Sequence, residues 1–345
     1  MHGLVRAYPQ NTDTVQPIFW APLTAFAAAL FLIWWLVNSR FSAVALDRPN
    51  PRSLHETPVP RTGGISVHIG ILLAVGMIAP NLPLALALAL GLLYAVSLLD
   101  DIRGVAARWR LAVHLIAAAG VSLSVLLDGY GMLAALVTAV AIAWMANLYN
   151  FMDGSDGLAG GMAMFGFSVY GIAAWFSGST EFAFVNFSIA AAAAAFLIFN
   201  FPPARVFMGD VGSVPLGFLA GALGLIGWAQ RDWTWWFPVL VFSPFIVDST
   251  VTLVRRALRG ERVWQAHREH YYQRMVQFGL GHRRTAIVWY GLMLVAGASA
   301  VWGLQRTLTG QAGLLAAWVA SYAVMMVFID RRWAAHQAKV SRGRA

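Results

Sequence analysis

The chain has 345 residues, of which 59% are hydrophobic and 11% charged, whereas a soluble domain carries about a quarter charged residues, so a soluble fold is excluded. The net charge of +9 does not indicate nucleic acid, because the positive residues fall in short segments between apolar runs and form no basic face. The chain has no cysteine, which excludes disulfides, thiolate catalysis and cysteine-ligated zinc.

A helix needs about 20 apolar residues to cross the hydrocarbon core. Runs of that kind predict an all-α polytopic membrane protein, one domain over 1–345, with about 11 transmembrane helices at 17–38, 64–80, 82–99, 110–127, 131–149, 158–177, 182–200, 213–229, 235–254, 285–304 and 311–329. Sixteen mostly polar residues precede the first run, which reads as a retained helix and not a cleaved signal. With the N-terminus outside, the cytoplasmic segments are 39–63, 100–109, 150–157, 201–212, 255–284 and the tail 330–345. With Arg110 at the edge of the second, they hold 21 of the 24 Lys and Arg residues, leaving Arg6, Arg231 and Arg306 outside. That asymmetry fits an N-out, C-in orientation, and Trp20, Trp175, Trp228, Trp233, Trp235 and Trp236 fall near the outer ends of spans, as an aromatic belt would.

The acidic residues are as uneven. Asp100, Asp101, Asp153, Asp156, Asp210 and Asp248 all fall at or near the cytoplasmic side. Carboxylates beside apolar spans are costly unless paired, solvated or bound to a cation, so their convergence implies a metal or a cationic ligand. The first cytoplasmic loop, rich in Pro and Gly, carries Arg52, His55 and Arg61, and an ordinary linker would look the same. Asp100 and Asp101 end the third span beside Arg103, Arg108 and Arg110. Adjacent helical residues point about 100° apart, so one carboxylate can face a metal while the other takes a proton or pairs with an arginine.

Asn147, Asn150 and Asp153 are spaced i, i+3, i+6, a polar stripe if the fifth span stays helical to Asp153. Gly154 and Gly157 then let the backbone turn close to a ligand, with Asp156 alongside. Asp210 stands between Gly209 and Gly212 before the eighth span. A Gly-rich helix start exposes N–H groups suited to phosphate, and the Asp offers a hard oxygen to Mg²⁺. Asp248 is an ionisable group inside the ninth span and a functional candidate by default. The longest loop, 255–284, carries His267, Arg268, His270, Arg274, His282, Arg283 and Arg284; cations of this kind bind phosphate or anionic headgroups, though for the last three a topology-setting role is the simpler reading.

The segments PVPRTGGIS, LLDDIRG, NLYNFMDGSDGLAGG and FMGDVGSVPLGFLAG, in that order between about residues 47 and 275, resemble the polyprenyl-phosphate N-acetylhexosamine-1-phosphate transferase family. The resemblance implies an eleven-span helical fold in the bacterial inner membrane with a cytoplasmic active site. It implies that undecaprenyl phosphate attacks the β-phosphorus of a UDP-N-acetylhexosamine, giving undecaprenyl-diphospho-sugar and UMP. It also implies Mg²⁺, with Mn²⁺ as a substitute, at the aspartate matching Asp210. One of Asp100 and Asp101 would deprotonate the lipid phosphate, and Asn147, Asn150, Asp153 and Asp156 would line the nucleotide and diphosphate site. Gly209, Asp248, Arg61, Arg268 and His270 complete the expected substrate-binding set, and a homodimer is a further expectation.

Family members often carry Ala-Asp-Arg-x-His-x-His-His in the last large loop, whereas this chain has Ala266-His-Arg-Glu-His-Tyr-Tyr-Gln273. Arg268 and His270 match, while His267, Tyr272 and Gln273 depart, which looks more like the O-antigen-initiating, lipopolysaccharide branch than the muramoyl-pentapeptide branch. The rival from another class is a transporter of a lipid-linked or nucleotide sugar, but transporters place their sites near the midplane between repeats. Here the polar groups gather at one face and no internal repeat is visible.

Overall fold

The computed structural model describes residues 12–39, 46–47, 58–263, 265 and 267–342. Arg6, Arg52, His55 and Ala266 lie outside the described residues. The chain is nearly all-α: α1 (Thr12–Asn38), α2 (Gly63–Ile78), α3 (Leu84–Arg103), α4 (Ala107–Phe151), α5 (Leu158–Ser177), α6 (Thr180–Asn200), α7 (Asp210–Ala229), α8 (Trp236–Val241), α9 (Ser243–Leu258), α10 (Tyr271–Met275), a π-helical turn Val276–Leu280, α11 (Gly281–Leu304) and α12 (Leu308–Arg342). An antiparallel pair of two-residue strands, β1 (Leu46–Asp47) and β2 (Val59–Pro60), was not expected from the sequence.

Among the described residues, eight helical stretches are long and apolar enough to cross a membrane: Pro17–Asn38, Leu84–Arg103, Ala107–Phe151, Leu158–Ser177, Thr180–Asn200, Asp210–Ala229, Tyr271–Leu304 and Leu308–Arg342. α2 is a shorter apolar helix. The expected spans 110–127 and 131–149 both fall within the 45 residues of α4, as two helices joined at a kink. Straight, α4 would be ~68 Å long, more than twice the ~30 Å hydrocarbon core. Gly131, at φ 80° and ψ 174°, breaks it near its middle, in a conformation glycine adopts at little steric cost.

The expected span 235–254 is divided into α8 and α9. Pro244 has no N–H to return to the carbonyl of Leu240. Ser243 Oγ donates to that carbonyl instead, at 2.7 Å, so the ladder is interrupted without leaving the acceptor bare.

The bundle is organised around α5, α6 and α7, whose apolar windows are 72%, 78% and 89% buried, against 22% for α1, α3 and α4. α7 packs closely on α4 because Gly217 and Gly221 face it. A Cβ at Gly217 would come 2.5 Å from Tyr149 Cβ and 2.7 Å from the Met145 carbonyl. Small residues that let backbones approach drive helix association in lipid, where apolar burial alone gives little. This packing brings the N-terminus of α7 beside the C-terminal end of α4.

Candidate active site

Asp210 is the first residue of α7, after Gly209 at φ 70°. The segment before α7 is held by backbone pairing to the end of β2 and the start of α2. Phe207 N donates to Pro60 O at 2.7 Å, and Gly63 N and Gly64 N donate to Phe207 O and Met208 O at 3.0 Å each. Arg61 therefore sits next to Gly209, with its guanidinium 2.8 Å from Asp47 and 4.0 Å from Asp101. Partial burial opposes the charge on Arg61, but Asp47, then Asp101 and Asp210, outweigh it and hold the guanidinium above its usual pKa.

The paired aspartates at the end of α3 have different roles. Asp101 accepts from the first two amides of α7, Asp210 N at 3.4 Å and Val211 N at 3.2 Å. It caps the helix from outside and complements its positive end. The amides that the sequence suggested for phosphate are thus already taken. Asp100 accepts from Val105 N at 2.6 Å and pairs with Arg110. Arg110 also reaches Asp210 Oδ2 at 3.1 Å, so one guanidinium bridges two carboxylates that touch each other.

From α4, Asn150 Nδ2 donates to Asp210 Oδ1 and Ser213 Oγ, each at 2.9 Å. Asn147 donates to Ala143 O at 2.6 Å and faces His114, a buried imidazole whose Nδ1 has no partner among the described residues. Asp100, Arg110, His114, Asn147, Asn150 and Asp210 line a cavity of about 20 Å³, enough for one water or a small ion. The expected polar stripe ends early: α4 stops at Phe151, and Asp153 lies in the following turn. It still faces Asp210, and burial followed by that neighbouring charge pushes its carboxyl well above the usual range. No hydrogen-bond donor among the described residues reaches it.

Asp156 is turned elsewhere. It accepts from Ala204 N at 3.0 Å and lies 3.8 Å from His282, which is also 2.9 Å from Ser155 Oγ. Gly157 N donates to Asn200 Oδ1 at 2.8 Å, and Tyr290 OH to Gly157 O at 2.7 Å. These contacts fix the 152–157 turn against the 201–206 segment and α11. His282, which the sequence offered as a topology residue, is one of the ties.

Asp248 and His270 sit behind the site. Asp248 is 1% exposed and accepts from Tyr271 N at 2.9 Å and Tyr272 N at 3.0 Å; it also lies 3.2 Å from His270 Nδ1 and 3.2 Å from Thr252 Oγ1. It caps α10 and anchors the loop. Tyr272 OH then donates to Phe151 O at 3.1 Å, which links that loop to the end of α4. The His270 ring stacks between Phe151 and Tyr272. Arg268 is partly exposed, and its guanidinium has no carboxylate partner among the described residues. His114 and Ser213 were not singled out by sequence, and Arg110 was named only as one of three arginines that could pair with Asp100 or Asp101; an imidazole and a guanidinium at i and i+4 at the edge of an apolar run were the available signal.

The glycosyl transferase family 4 profile matches residues 83–227, the stretch that contains this cluster. The decaprenyl-phosphate N-acetylglucosaminephosphotransferase of Mycolicibacterium smegmatis is 30% identical over 337 residues, covering 81% of each chain. The chain belongs to the polyprenyl-phosphate N-acetylhexosamine-1-phosphate transferase family. The undecaprenyl-phosphate alpha-N-acetylglucosaminyl 1-phosphate transferase of Escherichia coli strain K12 is 28% identical, covering 70% of this chain and 72% of its own. The phospho-N-acetylmuramoyl-pentapeptide-transferase of Levilactobacillus brevis is 30% identical over only 47% of this chain and 50% of its own.

The transferase family implies a divalent metal, and the donor set suits one. Asp100, Asp101, Asp153 and Asp210 put four carboxylates around one helix start, with Arg110 the cation between two of them. Among the described residues, no group of three or more His, Asp or Glu side chains is arranged to hold a metal ion by itself. Mg²⁺ does not require one, because it binds through one or two carboxylates plus substrate phosphates and water.

Proposed function

We propose that this transferase moves N-acetylglucosamine 1-phosphate from UDP-N-acetylglucosamine to undecaprenyl phosphate or a close polyprenyl relative, releasing UMP. The observation that carries this reading is the Asp210 cluster at the start of α7, in a chain whose long-coverage relatives are named for N-acetylglucosamine. A lipid phosphate oxygen attacks the β-phosphorus, the bond from that phosphorus to the oxygen bridging the two phosphates breaks, and the electron pair leaves with UMP.

Both reactants are anionic, so catalysis consists of positioning and charge neutralisation. Arg110 is placed to share its charge between Asp100 and an incoming phosphate. Asn150 orients Asp210, and Asp153, free of donors, would hold a cation together with Asp210. Mg²⁺ bound there supplies charge neutralisation on the diphosphate and a stabilised leaving group. Asp100 and Asp101 are both engaged by backbone amides or Arg110, and a phosphomonoester with a second pKa near 6 needs little deprotonation at pH 7. Direct displacement with the carboxylates as organisers therefore fits better than a dedicated base.

The 21-to-3 distribution of Lys and Arg supports an N-out, C-in arrangement with the cluster on the cytoplasmic face of the inner membrane. Eleven spans follow if α4 counts as two, α8 with α9 as one, and α2 is included. A polar cluster at one end of the bundle supports a transferase over a transporter, whose site belongs near the midplane. The test is UMP release by purified protein in detergent, from a panel of UDP-N-acetylhexosamines, with and without undecaprenyl phosphate. Lipid-dependent UMP from UDP-N-acetylglucosamine is the expected result; lipid-independent release, or release from a different donor alone, overturns the assignment.

A further inference from the structure

A second cavity shares no lining residue with the one at the Asp210 cluster. It is a groove of about 930 Å³ between α11, α12 and the π-helical turn, with walls that include Phe278, Leu292, Val295, Trp318, Met325 and Phe328. One of its ends is unlike the rest. α12 runs on past its apolar part, and Arg332, His336 and Lys339 line that end of the groove. Their i, i+4, i+7 spacing places them on one helix face.

Residues 331–342 contain no acid. Asp330, the last acid before them, is engaged by Arg255 at 2.6 Å and Arg274 at 2.8 Å. Among the described residues none of Arg332, His336 and Lys339 has a carboxylate partner. Arg332 lies over the Phe328 ring, 5.3 Å from its centroid, at the boundary between apolar wall and charged end. His336 stacks on Trp333, 5.6 Å between centroids, and tryptophan is typical of the membrane–water boundary. From Trp318 to Arg332 the helix rises ~21 Å, which matches one leaflet with its headgroup layer, half of the ~40–45 Å bilayer.

We propose that this groove binds an anionic membrane phospholipid, with acyl chains along α11 and α12 and the headgroup phosphate at Arg332, His336 and Lys339. An apolar slot one leaflet long that ends in two unpaired cations and an imidazole N–H donor complements that molecule in length, polarity and charge. A second copy of this chain would have to bring acids to the same place, and the tail itself has none. The groove also touches Met275 and Phe278, close to the Arg274 and Asp330 pair that ties α12 to the loop carrying His270. An occupied groove therefore braces that loop from behind. This inference does not depend on the identity of the sugar donor or on the transfer reaction.

Native mass spectrometry of the full chain in detergent, titrated with phosphatidylglycerol and with phosphatidylcholine of the same acyl chains, tests it. The expected preference for phosphatidylglycerol is about thirtyfold, from two permanent cations near a headgroup. The triple variant Arg332→Gln, His336→Gln, Lys339→Gln should lose that preference while keeping its thermal unfolding midpoint, its phosphatidylcholine binding and its UMP release on saturating substrates. Gly291 lines the groove and has open space where a Cβ would go, so Gly291→Phe should reduce binding of both lipids. Equal binding of the two lipids by the unaltered protein, or a preference that survives in the triple variant, overturns the proposal. So does displacement of phosphatidylglycerol by equimolar undecaprenyl phosphate, or a dimer that dissociates in Gly291→Phe with lipid binding unchanged.

Discussion

The N-termini of α7 and α10 are built with the same device. Each is capped from another helix by an aspartate that accepts from the first two backbone amides: Asp101 of α3 on α7, and Asp248 of α9 on α10. What surrounds each cap separates their roles. Around Asp248 every neighbour is a donor, from two amides to His270 and Thr252, and the group is sealed from solvent. Around Asp101 stand three more carboxylates and, besides Arg61, a single bridging arginine, Arg110. A balanced buried charge holds a loop in place, whereas an unbalanced, partly open cluster calls for a cation and phosphates from outside.

The sharpest break in that comparison is Asp210→Asn. Removing the charge at the centre of the open cluster should lower kcat by about 10²–10³-fold, the scale of losing one preorganised electrostatic group, with the thermal unfolding midpoint unchanged or raised. Steady-state UMP release beside a melting curve in detergent checks both halves. The closed cap should respond the opposite way. Asp248→Asn leaves one acceptor for two amides, and a buried amide without its partner costs about 1–3 kcal/mol, so stability should fall by about that much. Activity should fall only as far as the loop becomes displaced, and it should recover on cooling; a wild-type melting midpoint in this variant would remove the structural role assigned to Asp248.

A smaller effect with the opposite sign is expected at Asp153. Burial and then Asp210 raise its carboxyl pKa, so in the absence of a cation the fold favours the protonated acid and loses stability as pH rises through the range between its ordinary and raised pKa values. In EDTA at pH 7.5, Asp153→Asn should therefore melt above the unaltered protein while transferring more slowly. A lower melting point would show that the carboxylate is already compensated.

The weakest expected effect lies at His267. Burial, then His270 and Arg256, lower its pKa to about 3. A histidine held neutral by the fold contributes fully above its unfolded pKa of about 6.5 and loses that contribution as pH falls toward 3. His267→Gln should flatten part of the decline in melting temperature between pH 6.5 and pH 4, read from midpoints at half-unit intervals.

Class and element order were legible in the sequence because lipid imposes a strong rule: about 20 apolar residues, uncharged, with cations to one side. One departure had a local cause visible only in backbone detail, the Pro244 interruption between α8 and α9, whereas the Gly131 break in α4 falls where the expected spans 110–127 and 131–149 meet. The site was legible as composition. Asp100, Asp101, Asn150, Asp153 and Asp210 do meet around one helix start, because each ends or begins an element at the same face of the bundle.

Their division of labour was not legible. Adjacent aspartates look identical in sequence, and only the approach of α7 sends Asp101 to its amides and Asp100 to Arg110. Asp248 read as a membrane-buried charge and therefore as functional. Its partners, the amides of Tyr271 and Tyr272, are more than twenty residues away, and no spacing rule reaches them. His282 was discounted for the same reason, since its contact with Ser155 crosses 127 positions.

Metal dependence tests the central claim most directly. UMP release from UDP-N-acetylglucosamine and undecaprenyl phosphate should be followed as EDTA is titrated in and Mg²⁺ is then restored. The carboxylate cluster at α7 predicts loss of release at stoichiometric excess of EDTA and full recovery with Mg²⁺. Undiminished release in excess EDTA would contradict it, because four carboxylates and one bridging arginine cannot by themselves bring two anionic phosphates together.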